Sequence, residues 1–548
     1  MLVRLVCLTA IAALSAVAQF ATFPDAGYFR EQWQAPPLDI EIDSVGGLDD
    51  FYFDGKIELS LRSYIELVMA NNPDINLQKL AVFEQQNAIQ RAFSPFDPTL
   101  NLGFTTNRST TLPNDILEGA DVRTNLNQRA SFTYSQTFDT GTNYTVGYVG
   151  GKSANNSQFT NFNPSITQSL LFTVSQPLLR DRGRYVQRIP IFIARSRLKL
   201  TEEQVRARVI GLLVQAENAY WDVIDQRESL RVRENNLELA RAFLERSRRE
   251  LELGAISPLD IYQPEQQFAT AQVGVTQFQY RLQQTEDTIR RWIGADLDPT
   301  LKFAPLVLTE TADPPVYIPS FEPEEQVAKA LRLRPELGQD RRSLEIDDLN
   351  IRSSTNQMRP NLMLNANYSA QGRGGNFFER SLLGSGSTST VLPGGFPDAL
   401  DQLFQFRFPT YGFGFTLQIP LRNRRAAANL ADARIQKRRD LYTLRSSEQQ
   451  VREEVLNAVA GVEQSKAGIL QATVARDFAQ KRLDAEQKKY DLGVTTAFLV
   501  LDSQTTLVLS EADLLAQVIA YRRSMLNLLR ATGDLLETRG VVLRYDTP

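Results

Sequence analysis

Two long stretches of the chain carry an apolar residue at every seventh position. In the first stretch, from 184 to 293, these positions are Val223, Leu230, Leu237, Leu244 and Leu251, then Ile261, Phe268, Val275, Leu282 and Ile289. A sustained heptad repeat is typical of helices that pack lengthwise against other helices. Gly254 and Pro258 are the strong helix breakers between the two halves. The pattern predicts a helical hairpin turning at Gly254, whose first leg is about 100 Å long at ~1.5 Å per residue.

The second stretch, from 423 to 531, repeats this plan. Its apolar positions are Val455, Val462, Ile469, Leu483 and Tyr490, then Leu501, Val508, Leu515 and Leu529, with Arg476 and Arg522 interrupting the series. The distance from Gly254 to Gly294 is 40 residues, and so is the distance from Gly493 to Gly533. Upstream, Pro73 to Pro98 and Pro335 to Pro360 both span 25 residues. Repeated spacing of helix breakers indicates an internal duplication.

Between the helical stretches, the period changes from helical to two. Apolar and polar residues alternate in segments 98–105, 131–138, 142–149 and 169–176 of the first copy, and in 361–368 and 411–419 of the second. Pro98, Pro177, Pro360 and Pro420 stand where the period changes, as expected for strand–helix junctions. Such strands fit a membrane barrel, although a soluble sandwich shows the same alternation. The long helices and a secretory signal favour the barrel.

The predicted organisation is a duplicated unit of helices, strands and one long helical hairpin. It begins with a signal peptide (1–18) and an irregular segment (19–55). The first repeat (56–294) comprises helices 59–93, strands and loops 98–177 and hairpin 184–293, and it is followed by a linker (295–322). The second repeat (323–532) comprises helices 324–358, strands and loop 360–420 and hairpin 423–531, and it is followed by a tail (533–548). Arg4, an apolar run and small residues at 16–18 make the signal peptide; a buried N-terminal helix is the alternative.

The amino-acid composition excludes several classes of function. The net charge of −4 gives no indication of a nucleic-acid partner, which a basic protein would attract. The chain has no histidine, and its one cysteine, Cys7, lies in the predicted signal peptide, so disulfides are not expected. No phosphate loop, metal-ligand cluster or nucleophile motif is evident, so we predict no catalytic residues, no cofactor, no metal site and no enzyme activity.

Several of these segments resemble the TolC-like outer-membrane efflux factor family. They are the helix breaks NNPDI and LRPEL, the junction VSQPLLRDRGR, and the turns LGAISPLDI and YDLGVTTAFLVLD. The resemblance covers about 59 to 536 and implies a mainly α fold with membrane strands. A homotrimer would share a twelve-stranded barrel, four strands per chain, continued by a periplasmic helical tunnel. The extra hairpin 131–149 is expected to extend into the extracellular loops, although it could instead enlarge the barrel.

The resemblance also implies a function and a place for it. The chain would be an outer-membrane exit duct of a tripartite efflux or type I secretion system in a Gram-negative-type bacterium. Its partners would be a periplasmic adaptor (membrane fusion) protein, an inner-membrane RND or ABC transporter, and outer-membrane lipid. An exported coiled-coil scaffold or adhesion protein without a channel is the alternative from the heptads alone. That alternative leaves the matched strand pairs unexplained.

The resemblance places a gate at the two hairpin turns. Asp260 matches the family's acidic link residue, Tyr490 its tyrosine partner and Asp502 its ring aspartate. Thr495 stands where the family has an arginine, and Leu499 stands where it has a further aspartate. The charged contacts that close the tunnel in the family are therefore in doubt for this chain.

From the residues alone, each candidate gate residue has a plainer role. Asp260 could begin a helix, Tyr490 could pack in the core and Asp502 could be solvated. Gly254, Ser257, Gly493 and Thr496 are the predicted adaptor-docking turns, and their plainer role is to make a tight turn.

Overall fold

The structure is a computed structural model that describes residues 47–112, 120–157, 160–254, 257–299, 301–314, 319–379 and 390–543. The chain divides into two units, 1–50 and 51–548. Of the first unit only residues 47–50 are described, so the predicted signal peptide and most of the segment 19–55 lie outside the described residues. The architecture below is that of the second unit.

Most of the described chain is helical. The helices are α1 (Leu61–Asn71), α2 (Pro73–Phe93), α3 (Arg184–Gln187), α4 (Ile189–Glu252), α5 (Tyr262–Ile293), α6 (Pro323–Leu333), α7 (Pro335–Gln357), α8 (Phe396–Phe404), α9 (Arg424–Asp491), α10 (Ala497–Thr532) and α11 (Leu535–Thr538). The long hairpins are α4–α5 and α9–α10, whose first legs have 64 and 68 residues. None of the helices in the described part of the chain has the length and apolar character needed to cross a membrane.

Two sheets accompany the helices. Their strands are β1 (Tyr52–Phe53), β2 (Lys56–Leu59), β3 (Thr99–Thr111), β4 (Arg123–Thr137), β5 (Asn143–Asn155), β6 (Phe162–Pro177), β7 (Leu306–Leu308), β8 (Asn361–Glu379), β9 (Thr390–Leu392) and β10 (Phe408–Gln418). The small sheet has the order β1-β2-β7. The large sheet has the order β10-β8-β6-β5-β4-β3, with β9 pairing to the end of β8.

The duplicated plan is visible in the paired helices before each set of strands. α1 and α6 both have 11 residues and each is followed, after one extended residue, by a helix that begins with proline. Proline is favoured at the first helical position because it needs no hydrogen-bond acceptor there. Asn72 caps α2 by accepting from the backbone N–H groups of Asp74 and Ile75. Arg334, at the equivalent break, is buried and pairs with Glu454 at 3.0 Å instead.

The heptad positions form the packing seams of both hairpins. Every position of the repeat named above is buried or half-buried, including the interrupting Arg476 and Arg522. In the second copy, Val455, Val462 and Ile469 of α9 form one core with Val518 of α10 and Leu337 of α7. The hairpins are therefore stabilised by burial of the apolar stripe that the sequence displays.

The long strands of the large sheet lie side by side, each antiparallel to its neighbours. The expectation that hairpin 131–149 extends into the loops is wrong, because β4 and β5 lie inside the sheet, between β3 and β6. Pro98 and Pro360 directly precede β3 and β8, Pro177 is the last residue of β6, and Pro420 follows β10 by two residues.

Two predicted irregular segments contain structure. The linker 295–322 contributes β7, which pairs in parallel with β2, Leu306 opposite Ile57. This strand has three residues, too few to show a period. The segment between the predicted strands 361–368 and 411–419 contains the end of β8, the short β9 and helix α8, with 380–389 outside the described residues. Helix α8 packs so closely on β8 that a Cβ at Gly372 would lie 1.9 Å from the Ala399 carbonyl oxygen.

Candidate gate at the tips of the helical hairpins

Glycine in the left-handed region ends the first leg of each hairpin. Gly254 has φ 70° and Gly493 has φ 72°, where a side chain would be strained. After α9, the N–H of Gly493 donates to the Tyr490 carbonyl at 3.0 Å and the N–H of Val494 donates to the Lys489 carbonyl at 2.9 Å. This is the Schellman arrangement that satisfies the last carbonyls of a helix. Both glycines therefore reverse the chain at the tips.

The first turn is closed by Asp260 and Ser257. The Ser257 backbone N–H donates to the Asp260 carboxylate at 3.2 Å, and the Asp260 N–H donates back to the Ser257 carbonyl at 3.0 Å. These bonds hold the chain in a compact turn ahead of α5. Within the chain, Asp260 thus has a local role and does not meet Tyr490.

Tyr490 instead belongs to a tip cluster made of Phe243, Arg246, Glu250, Tyr490 and Asp491. The Tyr490 hydroxyl donates to the Glu250 carboxylate at 2.8 Å. Arg246 donates to Asp491 at 2.5 Å and to Glu250 at 2.9 Å, and its guanidinium lies 4.7 Å from the centre of the Tyr490 ring. The Phe243 ring packs 5.8 Å from that same ring. The tip cluster joins α4 of the first hairpin to α9 of the second.

Arg246 and Tyr490 of the tip cluster both keep their protons near neutral pH. Hydrogen bonds to Asp491 and Glu250 raise the pKa of Arg246 further above its usual range. Burial, followed by the Glu250 hydrogen bond, raises the pKa of Tyr490 to about 12, so its hydroxyl remains a donor. The ion-paired side chains are a quarter to a half exposed, so each pair is worth roughly 1 kcal/mol or less. Such contacts can hold two helices together and still break reversibly.

Asp502 is paired within its own hairpin. Its carboxylate lies 2.8 Å from the Arg482 guanidinium, which links α10 to α9, and both side chains are about half exposed. Beneath the pair, Leu483, Val500 and Leu501 form a small apolar core with Phe243 of α4. The core holds the backbone that carries Asp502, while the carboxylate itself faces solvent.

The second turn is held to α9 through the Glu486 carboxylate. The Thr495 hydroxyl donates to the Glu486 carboxylate at 3.2 Å, and Lys489 pairs with the same glutamate at 2.7 Å. Thr495 therefore ties the turn back to α9. Thr496 is the extended residue before α10 and makes no side-chain cap bond, and Leu499 is exposed.

Sequence reasoning found Tyr490 but missed its partners. Arg246 and Glu250 are one helical turn apart and look like an ordinary surface pair on a heptad helix. Arg246 and Asp491 are 245 positions apart, so no local signal connects them. Within the described residues, no group of acidic side chains is placed to hold a metal ion.

Comparison with known proteins agrees with this fold. CusC matches with a TM-score of 0.61 at 16% identity, covering 93% of this chain and 99% of CusC. The CmeC outer membrane channel of Campylobacter jejuni matches with a TM-score of 0.61 at 13% identity, covering 91% of each chain. The outer membrane protein VceC of Vibrio cholerae matches with a TM-score of 0.59 at 15% identity, covering 86% of this chain and 96% of VceC. No curated protein matches the chain by sequence.

Strands continued by two long helical hairpins define the channel-tunnel class of outer-membrane proteins. Residues 64–295 and 327–534 match the family described as outer membrane efflux protein, and the chain belongs to that family. It is thus an efflux channel of the outer membrane, and it is not an enzyme. The family resemblance, the channel-tunnel fold and the outer-membrane localisation inferred from the sequence are confirmed, and the strand count of the barrel stays a prediction. Channels of this family are trimers that work with an adaptor and an inner-membrane transporter.

Proposed function

We propose that this chain is a passive exit duct closed at its periplasmic hairpin tips, and that the tip cluster holds the two hairpins of each chain together in the closed state. The observation that carries the proposal is the pair of links from Arg246 to Asp491 and from Tyr490 to Glu250. Both links join one hairpin to the other. Widening the tip by moving the hairpins apart therefore requires both to break.

The tips also offer a surface for an adaptor. Leu253 and Leu259 flank the first turn, Leu492 and Val494 flank the second, and each is at least 75% exposed. Apolar side chains clustered at exposed turns are typical of a protein interaction site. They lie beside Gly254, Ser257, Gly493 and Thr496, the predicted docking turns. We infer that a periplasmic adaptor covers them and thereby favours the open tip.

The helices leave a second apolar surface uncovered. Leu470, Val474 and Phe478 are exposed at helical spacing along α9, and Val273 and Tyr280 are exposed one heptad apart on α5. Stripes of this kind are typical of helices that pack against a partner. Neighbouring chains of the trimer would bury these two stripes. In the same trimer, Asp260 would contact the hairpin of a neighbouring chain at the tip.

The proposed role as a passive exit duct also implies a transporter in the inner membrane. An RND transporter or an ABC transporter, the latter in type I secretion, would load the duct through the adaptor. The transporter would mainly determine which cargo is exported, since neither a catalytic site nor a cofactor site is predicted in the duct. The signal peptide at 1–18 would direct the chain across the inner membrane.

The test is single-channel conductance of the purified trimer in a planar bilayer. Wild type should show small, cation-selective steps that a trivalent cation blocks from the periplasmic side. Arg246→Gln removes the Arg246–Asp491 link, leaves only the Tyr490–Glu250 link between the hairpins, and should raise the resting conductance severalfold.

Arg248→Gln is the matched control, because Arg248 pairs with Glu265 inside the first hairpin at 3.2 Å and should leave conductance unchanged. Equal conductance of wild type and Arg246→Gln would refute the gate.

A further inference from the structure

The large sheet has one mainly apolar face and one mainly polar face, and both extend across six strands. A row of directly paired residues on the apolar face, from β3 to β10, is Leu100, Tyr134, Val146, Phe172, Tyr368 and Tyr411. The neighbouring row, on the opposite face, is Asn101, Thr133, Gly147, Leu171, Ser369 and Thr410. Side chains alternate between faces along each strand, so the phase of all six strands agrees.

The hairpin β4–β5 contributes to this face as fully as the other strands do. Phe132 and Tyr134 of β4 stand opposite Tyr148 and Val146 of β5. On the other face, β4 carries Ser131, Thr133 and Ser135, and β5 carries Val149, Gly147 and Thr145 opposite them. A hairpin lying in solvent above the sheet would not need an apolar side in register with strands that meet lipid.

The turn of the hairpin is fixed at the helical end of the sheet. Asp139 pairs with Arg184, the first residue of α3, at 3.4 Å and with Arg188, the residue directly before α4. The Gly183 N–H donates to the Thr140 carbonyl at 3.3 Å. The hairpin therefore begins at the level of the strand–helix junctions and runs over the same height as β3 and β6.

The two edges of the sheet complement each other. Among the described residues, β3 and β10 each pair on one side only, and because successive long strands alternate in direction, these two run in opposite directions. β10 of one copy can thus pair in antiparallel fashion with β3 of the next. Edges that face lipid must be paired, because the bilayer core offers no water to their N–H and C=O groups.

We propose, on the basis of the channel function above, that each chain contributes six strands to the membrane wall and that the trimer closes an eighteen-stranded barrel. Barrel diameter grows with strand number, and sixteen to eighteen strands enclose an aqueous channel. Serine, threonine and glycine line most of the polar face of β4 and β5, which leaves this lumen open. The membrane segment would pass bulky hydrophilic cargo, and the hairpin tips would be the narrow point of the duct.

Single-cysteine variants test the position of the hairpin, since Cys7 lies in the predicted signal peptide. Phe132→Cys on β4 and Tyr148→Cys on β5 are labelled with a fluorophore and reconstituted in vesicles that contain nitroxide-bearing lipid. Both labels should be quenched severalfold more strongly than a label on Thr133→Cys, which points to the opposite face. Heat-modifiable migration on gels confirms that each variant has formed the trimer.

Phe413→Cys on β10 separates this inference from the channel function. Quenching at Phe413 without quenching at Phe132 and Tyr148 would overturn the six-strand wall and leave the channel intact. No quenching at any of the three positions would contradict the membrane channel itself. Electron cryomicroscopy of the wild-type trimer in nanodiscs gives an independent count, in which eighteen strands support the proposal and twelve refute it.

Discussion

Glu217 and Arg539, 322 positions apart, form a two-bonded ion pair in which the Arg539 Nε donates to the Glu217 Oε2 at 3.0 Å. Glu217 is only 2% exposed, in the middle of α4, and Arg539 lies just beyond α11. The segment predicted as a simple tail thus fastens the end of the second repeat to the first hairpin.

Arg539→Gln should destabilise the protein by about 3 kcal/mol, because it leaves a buried carboxylate without its charge partner. The measurement is the midpoint of heat-induced trimer dissociation. Glu217→Gln combined with Arg539→Gln should recover much of the loss. If the single variant is as stable as wild type, the pair does not fasten the tail.

Arg482 and Asp502 should set the ion selectivity of the duct. Asp502→Ala is expected to lower cation preference and weaken block by divalent ions, because three carboxylates near a narrow axis favour cations. Arg482→Gln should raise cation preference, since it removes the positive charge 2.8 Å from that carboxylate. Reversal potentials in a salt gradient measure both.

Lys481→Gln is the control for selectivity. It makes the same charge change one residue away, where the Lys481 ammonium lies over the Phe478 ring at 5.5 Å. Unchanged selectivity in both Asp502→Ala and Arg482→Gln would place the constriction elsewhere.

Asp347 gives the protein a pH-dependent stability. Burial, then hydrogen bonding and the charge of Asp440, raise the pKa of Asp347 from 3.8 to about 6. The native state therefore holds this proton more tightly than the unfolded chain, and stability falls as pH rises from about 4 to about 6. Asp347→Asn should be more stable than wild type above pH 6, by at most about 3 kcal/mol, and equal to it below about pH 4.

Thermal dissociation at several pH values checks this difference. Glu345→Gln is the control, because its carboxylate is half exposed and pairs with Arg342 at 2.7 Å. It should show no gain in stability at any pH. A gain of Asp347→Asn that persists at pH 4 would show that titration is not its cause.

Gly493 and Gly461 offer a matched test of backbone strain. A Cβ would meet no atom within 4 Å at either position, so only conformation distinguishes them. Gly493→Ala should cost about 1 to 2 kcal/mol because φ is 72°. Gly461→Ala, inside α9, should stabilise by about 0.5 to 1 kcal/mol. Midpoints of thermal dissociation that shift in the same direction for both variants would contradict this account of the turn.

The local sequence patterns were sufficient to predict most of the helices and strands. Heptad positions such as Val455 and Ile289 are buried where the repeat placed them, and the left-handed Gly254 and Gly493 end the first legs. Prolines such as Pro98 and Pro177 stand at strand ends. Strand edges and β7 were harder to predict, because two or three residues of signal are too few to separate a period from chance.

Residue identity along the chain thus determined the helices, the hairpin turns, the duplication and the family. Tertiary structure decided which elements meet. The place of β4 and β5 inside the sheet depends on pairing with β3 and β6, and the partner of Tyr490 is Glu250 rather than Asp260. Periodicity is a property of neighbouring residues and can be read locally. Strand pairing and ion pairing between distant segments depend on how the whole chain packs, which no local pattern encodes.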